Sequence, residues 1–166
     1  MKKEEFVKDV GNWDNHRLLL WPALEATKKL LLPVLELGCG EGSTPFLKKY
    51  CHDEGLELFS YDYNEKWAAL YGATHTDWSM FGAICAVKYG VCLIDESPGE
   101  HRKESLQKVN AEIIVIHDSE PKGWNSSDYQ VRPLFKNFKY VRDLESVVRG
   151  GAWATMLSNT INVNKI

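Results

Sequence analysis

The stretch VLELGCGEGSTP, Val34 to Pro45, decides how the rest of the chain is read. Val34 to Leu37 is a short apolar run carrying one acid, Glu36, and reads as a buried strand. Gly38, Gly40 and Gly42 alternate directly after it. Glycines between a strand and a helix permit unusual dihedrals and let a ligand touch the backbone. Thr44 is a good N-cap and Pro45 suits the first helical position, so a helix is expected to run on through Cys51. A strand, a glycine turn and a capped helix form the opening half of a nucleotide-binding α/β unit. Gly38, Cys39, Gly40 and Gly42 are therefore candidate ligand contacts. Glu36 puts a carboxylate at the strand end, within reach of a cationic amine directly or through water. A dinucleotide loop would read G-x-G-x-x-G. Counted from Gly38, its third glycine falls on Ser43, and no Walker lysine follows, which argues against nicotinamide and P-loop chemistry.

Working outward, strands and helices alternate. Before the glycine turn, Lys2 to Val10 reads as a short helix and His16 to Leu32 as a second, with Pro22 marking a start or kink. After it, Leu56 to Tyr63, Ala73 to Asp77, Val91 to Asp95 and Glu112 to Asp118 read as strands. Between them, Asn64 caps a helix through Tyr71, Trp78 to Lys88 is partly helical, and Gly99 to Val109 is helical. Glu120 to Asp128 is a polar loop, Tyr129 to Asn137 is helical with an interruption at Pro133, and late strands fit Phe138 to Leu144 and Ala152 to Ser158. This order predicts a mostly parallel sheet covered on both faces, a Rossmann-like three-layer α/β/α sandwich. The expected organisation is a single domain over 1–166, with a helical segment at 1–33 and the core at 34–166. Ligands on such sheets bind beyond the carboxyl ends of the strands. Attention falls on the ends near Gly38, Asp62, Asp77, Asp95 and Asp118.

Asp62 closes the second strand about twenty residues after the glycine loop, where an acid can accept both hydroxyls of a ribose. Asp77 can accept an amino proton from an adenine, and the neighbouring Trp78 can pack on its face. VLELGCGEGST resembles the first motif of class I S-adenosylmethionine-dependent methyltransferases, and SYDYNEKW their second, with Asp62 in the ribose-binding position and Tyr63 beside it. VCLIDESP resembles their fourth-strand motif. The run IDESPGEH, with IIVIHD after it, is similar to the branch that acts on small molecules. The resemblance covers roughly Val34 to Glu120. It implies a seven-stranded sheet whose last strand is antiparallel, and S-adenosylmethionine held by Glu36, Gly38, Cys39, Gly40, Gly42, Asp62, Tyr63, Asp77, Trp78 and Asp95. The implied activity is methylation of a small molecule, more readily at oxygen than elsewhere. The alternative is a catalytically degenerate domain that binds the cofactor or a partner, a reading motivated by the short second half.

Methyl transfer needs alignment of acceptor, methyl and sulfur, and often the removal of one proton. Asp95, His117 and Asp118 are the catalytic candidates. Asp95 and Asp118 end neighbouring strands, so as a carboxylate pair they are also candidate ligands for Mg²⁺, which favours oxygen. Without a metal, His101 or His117 is the candidate base, since histidine titrates near neutrality. Arg102 and the pair His16-Arg17 are cations that could meet an acidic substrate or the methionyl carboxylate. Trp124, in the loop after the fifth strand, is placed to close over a substrate.

The remaining features bound the class. A formal charge of −3 offers no broad basic field for nucleic acid, which leaves a small-molecule acceptor as the expected partner. No apolar run is long enough to span a bilayer. The four cysteines include no C-x-x-C pair, and a reducing cytoplasm is the expected location.

Overall fold

The computed structural model describes residues 1–11, 14–124 and 129–166, except the side chain of Trp78. Its centre is a seven-stranded sheet of order β3-β2-β1-β4-β5-β7-β6. The strands are β1 (Val34–Leu37), β2 (Leu58–Asp62), β3 (Thr74–His75), β4 (Lys88–Ile94), β5 (Asn110–His117), β6 (Tyr140–Leu144) and β7 (Ala154–Ser158). From β3 to β5 every pairing is parallel, and β7 runs antiparallel to both β5 and β6. The expected architecture is thus the observed one. The helices are α1 (Lys3–Phe6), α2 (Arg17–Thr27), α3 (Thr44–Glu54), α4 (Glu65–Tyr71), α5 (Phe81–Ala86) and α6 (Arg102–Lys108), joined by short 3₁₀ turns.

Side chains alternate across a strand, so the apolar strands feed two cores. Val34, Val91, Leu93, Ile113 and Val115 pack under Phe6, Leu19, Leu24, Leu47 and Tyr50 on the face covered by α1, α2 and α3. Leu35, Leu37, Cys92, Ile94, Ile114 and Ile116 meet Phe81, Ile84, Leu106 and Phe135 on the other. Burying each such large side chain contributes about 1.5–3 kcal/mol. The same alternation sends Glu36 and His117 to the α2/α3 face.

Local outcomes differ from expectation in instructive ways. Of the two places expected for Pro22, the start of the helix or its interior, it takes the interior of α2. The carbonyl it leaves without a helical donor belongs to Leu18, an exposed residue that water can serve. The N-cap of α3 is Ser43, not Thr44, and neither hydroxyl caps the helix, because both turn to Glu36. Asn64 does cap α4, accepting from the Trp67 amide. The stretch 129–137 forms only a 3₁₀ turn over Arg132–Asn137.

Register brings the candidate residues into a row. Leu37 pairs with Tyr61 on one side and Ile94 on the other, and Ile94 pairs with Ile116. The next residues along are Asp62, Gly38, Asp95 and His117, side by side at the carboxyl edge.

Candidate functional site

The glycine turn is held from below. Glu36 is fully buried, and its carboxylate accepts hydrogen bonds from Ser43 Oγ at 2.5 Å, from Thr44 Oγ1 at 3.0 Å and from Ser60 Oγ. Burial pushes its pKa up to about 7, against the pull of those hydroxyls. Thr44 Oγ1 also accepts from the Gly40 amide at 2.8 Å. Glu36 therefore fixes the turn to α3 and β2, with both carboxylate oxygens bonded to those hydroxyls. Gly38 has φ of +90°, and a β-carbon there would run into the Asp95 carbonyl and the Glu96 amide. The position demands glycine on packing grounds alone, whatever binds above it.

Asp62 ties the turn from the side. Its Oδ2 accepts from the Cys39 amide at 2.9 Å and the Cys39 thiol at 3.4 Å, and its Oδ1 accepts from the Asn64 amide at 2.7 Å. An ionised carboxylate offers about four lone-pair sites, so capacity remains for a further donor. Trp67 Nε1 donates to the Cys39 carbonyl at 2.5 Å and covers the turn near Gly40.

Beside Asp62 opens a narrow cleft lined by Gly38, Asp62, Tyr63, Asp77, Phe81 and Glu96 among others. Its walls combine apolar rings with carboxylates, the composition expected of a nucleoside site. Asp77 Oδ1 accepts from the Ser79 amide at 2.9 Å and from its hydroxyl, which together lower the Asp77 pKa. Tyr63 is half exposed, with its ring 6.5 Å from that of His101. The predicted contacts Gly38, Asp62, Tyr63 and Asp77 are thus brought together. Gly42 is not among them: it lines a separate cavity with Asp14, Arg17 and Phe46. The indole of Trp78 lies outside the described residues, as do Trp13 and positions 125–128 of the loop that holds Trp124.

Beyond Gly38 the edge is built differently. Arg102 is buried, and its guanidinium donates to the Glu96 carbonyl at 3.0 Å, the His117 carbonyl at 2.8 Å, Asp118 Oδ2 at 2.9 Å and Asp95 Oδ1 at 3.0 Å. It also lies over the Tyr129 ring, 4.5 Å from the centroid. Asp118 turns back to this arginine in a left-handed conformation, φ of 50°. The predicted Mg²⁺ pair, Asp95 and Asp118, is therefore bridged by a guanidinium. That group supplies the positive charge and takes an oxygen from each carboxylate, so Mg²⁺ finds no support here. Arg102 was expected to meet an acidic substrate or the methionyl carboxylate; it meets the protein's own strand-end aspartates instead. Asp95 Oδ1 also receives His117 Nδ1 at 3.2 Å. Burial alone would raise the Asp95 pKa, but His117, Arg102 and His16 together hold it well below the usual carboxylate range. His117 is itself buried, which disfavours its charged form, yet Asp95 and Asp118 leave its pKa above the ordinary value.

Two further expectations resolve here. Arg17 is buried, pairing with Asp14 Oδ2 at 2.6 Å and stacking over Phe46 at 4.0 Å. Trp124 Nε1 donates to the Gly151 carbonyl at 2.9 Å and its ring packs against Trp153. The indole is anchored to the segment between β6 and β7. His16 was expected only as a rim cation; it lies buried against His117, with ring centroids 4.7 Å apart. No helix among the described residues is long and apolar enough to cross a membrane.

No protein-family model matches the chain, and no curated protein matches it either. Solved structures do. Cofactor-bound Rv0187 from MTB superimposes with a TM-score of 0.62 at 14% identity, over 95% of this chain and 85% of that one. A SAM-dependent methyltransferase from Archaeoglobus fulgidus gives 0.59 at 14% identity, over 93% and 96%. The methyltransferase domain of bacterial CtHen1 gives 0.51 at 13% identity, over 88% and 99%. With its strand order, reversed β7 and glycine turn after β1, the chain has the fold of the S-adenosylmethionine-dependent methyltransferases.

Proposed function

We propose that this chain binds S-adenosylmethionine in the cleft beside Asp62 and transfers its methyl group to a small molecule, most readily to an oxygen. The observation that carries the reading is the cleft itself. It opens at the carboxyl ends of β1 and β2, where such sheets take ligands, and Asp62 keeps acceptor capacity there after bonding Cys39 and Asn64. Asp62 would receive the ribose hydroxyls, Tyr63 and Asp77 would flank the adenosine, and Gly38, Cys39 and Gly40 would present backbone to it. Gly42 and Glu36 serve at a distance, as a spacer and a brace for the turn. The bound cofactor supplies a methyl group already activated on a sulfonium.

The reacting end falls to Asp95, His117 and Asp118. Asp95 holds His117 through Nδ1, and Nε2, buried against His16, would take the acceptor's proton only when that ring moves aside. Asp118 adds negative charge that favours the imidazolium so formed. A small acceptor fits the absence of a broad basic field.

The decisive experiment is calorimetric titration of wild type and Asp62→Ala with S-adenosylmethionine and S-adenosylhomocysteine. Micromolar binding, weakened at least ~10-fold or about 1.4 kcal/mol by the substitution, is expected. Well-folded protein that binds neither ligand overturns the reading. A second reading, a cofactor-binding domain without turnover, draws on the Arg102 bridge, which occupies both strand-end carboxylates. Formation of S-adenosylhomocysteine in an acceptor screen separates the two.

A further inference from the structure

The least satisfied polar atoms at the carboxyl edge lie on the α2 side of Asp95. His16 and His117 are 2% and 5% exposed. Both ring nitrogens of His16 and Nε2 of His117 are buried and lack a hydrogen-bond partner among the described residues. Leaving a buried polar atom unpaired is costly, so three in one place call for a ligand. One ligand atom each from His16, Asp95 and His117 lies within 4.8 Å of the other two. The three come from separate elements: the residue before α2, the turn after β4 and the end of β5. Parallel pairing of β4 with β5 sets two of them side by side, and packing of α2 on that face delivers the third.

We propose that His16, Asp95 and His117 form a site for one divalent transition ion of borderline softness, of the Zn²⁺ class. Two imidazoles and one carboxylate suit such ions better than Mg²⁺, which prefers oxygen throughout. Ligand atoms on bonds of about 2.0–2.1 Å stand a little over ~3 Å apart, so small side-chain rotations bring the three together. The Asp95 side chain is 26% exposed and provides the way in, and it leaves an open coordination position toward solvent. The charge balance is tolerable, because Asp95 and Asp118 together outweigh Arg102. Metal and proton compete for the Nε2 lone pair of His117, so the ion-loaded and base-competent forms of that residue exclude each other. An ion there also ties the segment before α2 to the sheet.

This inference stands apart from the cofactor reading, since no nucleotide takes part. The test is titration of chelator-treated, tag-free protein with Co²⁺, followed by its visible absorption, with Mg²⁺ as the contrasting ion. One Co²⁺ per chain, with a ligand-field spectrum of a low-coordinate nitrogen site, is expected. His16→Ala and His117→Ala should each weaken binding at least ~10-fold, while His52→Ala, an exposed histidine, should not. Folded wild type that binds no Co²⁺ at neutral pH overturns the proposal. So does binding that survives His16→Ala or is displaced by millimolar Mg²⁺. The wild-type titration decides the matter even if a variant fails to fold.

Discussion

The two halves of the carboxyl edge use the same kinds of residue to opposite ends. On the β1–β2 side, Asp62 bonds two backbone amides and one thiol among the described residues and lines the cleft. On the β4–β5 side, Asp95 and Asp118 share a buried arginine, and the space behind them is occupied by two packed histidines. The first arrangement leaves acceptors for a ligand. The second satisfies its carboxylates internally and leaves imidazole nitrogens wanting. A strand-end aspartate in a sequence is thus compatible with either, and the difference is made by what a distant helix brings to it.

The largest effect should come from the closed side. Arg102→Met removes one partner of a buried ion cluster and strands two carboxylates and two carbonyls. It should lower unfolding free energy by roughly 3–5 kcal/mol, read by urea denaturation. A loss below ~1 kcal/mol would mean the bridge is solvated and the contrast between the halves is false.

Next comes a pH effect beneath the glycine turn. The Glu36 pKa rises to about 7 on folding, so the folded state holds a proton that the unfolded chain releases above about 4.5. This contribution is complete below about pH 4.5, is lost as pH rises to about 7, and totals on the order of 3 kcal/mol. His16 acts oppositely: its low folded pKa makes stability rise with pH between about 3 and 6.5. Subtracting the pH–stability curves of wild type and Glu36→Gln isolates the first trend. A flat difference between pH 4.5 and 7 would remove Glu36 as a titrating brace.

Asp62→Ala should be smaller in stability, about 1 kcal/mol for the lost amide bonds, though it should weaken cofactor binding ~10-fold. Asp77→Ala is expected to be mildest, a few-fold loss of affinity with stability within ~0.5 kcal/mol, because its known partner is its own turn. If Asp77→Ala instead unfolds the protein while Arg102→Met does not, the open and closed assignments should be exchanged.

These contrasts track what the sequence could reveal. β1 appears at its expected bounds, Val34–Leu37, and Asn64 caps α4 as anticipated, because apolar runs and caps act over a few residues. The strand at 73–77 shrank to Thr74–His75, the pair in register with β2, and the Thr76 amide adds one last bond to the Asp62 carbonyl. The residues of the open cleft were legible because they follow strand ends directly. Arg102, Ser60 and the His16–His117 contact were not. Their partners lie from six to 101 residues away in sequence, and only the folded sheet brings them together. The hydroxyls at Ser43, Thr44 and Ser60 were the available hint that Glu36 would be served from within.

Gly38 has a practical consequence for anyone who would rebuild this protein. Its α-carbon rests on the peptide joining Asp95 to Glu96, so the distance between the two halves of the edge is set by main chain rather than by rotamers. Loop grafting treats a ligand-binding turn as an exchangeable module. Here the turn is also a gauge block: a transplanted loop with any β-carbon at that position would push the end of β4 aside and shift Asp95 with it. Redesign of cofactor preference and redesign of the reacting end cannot be carried out independently, and libraries that vary one should hold residue 38 fixed.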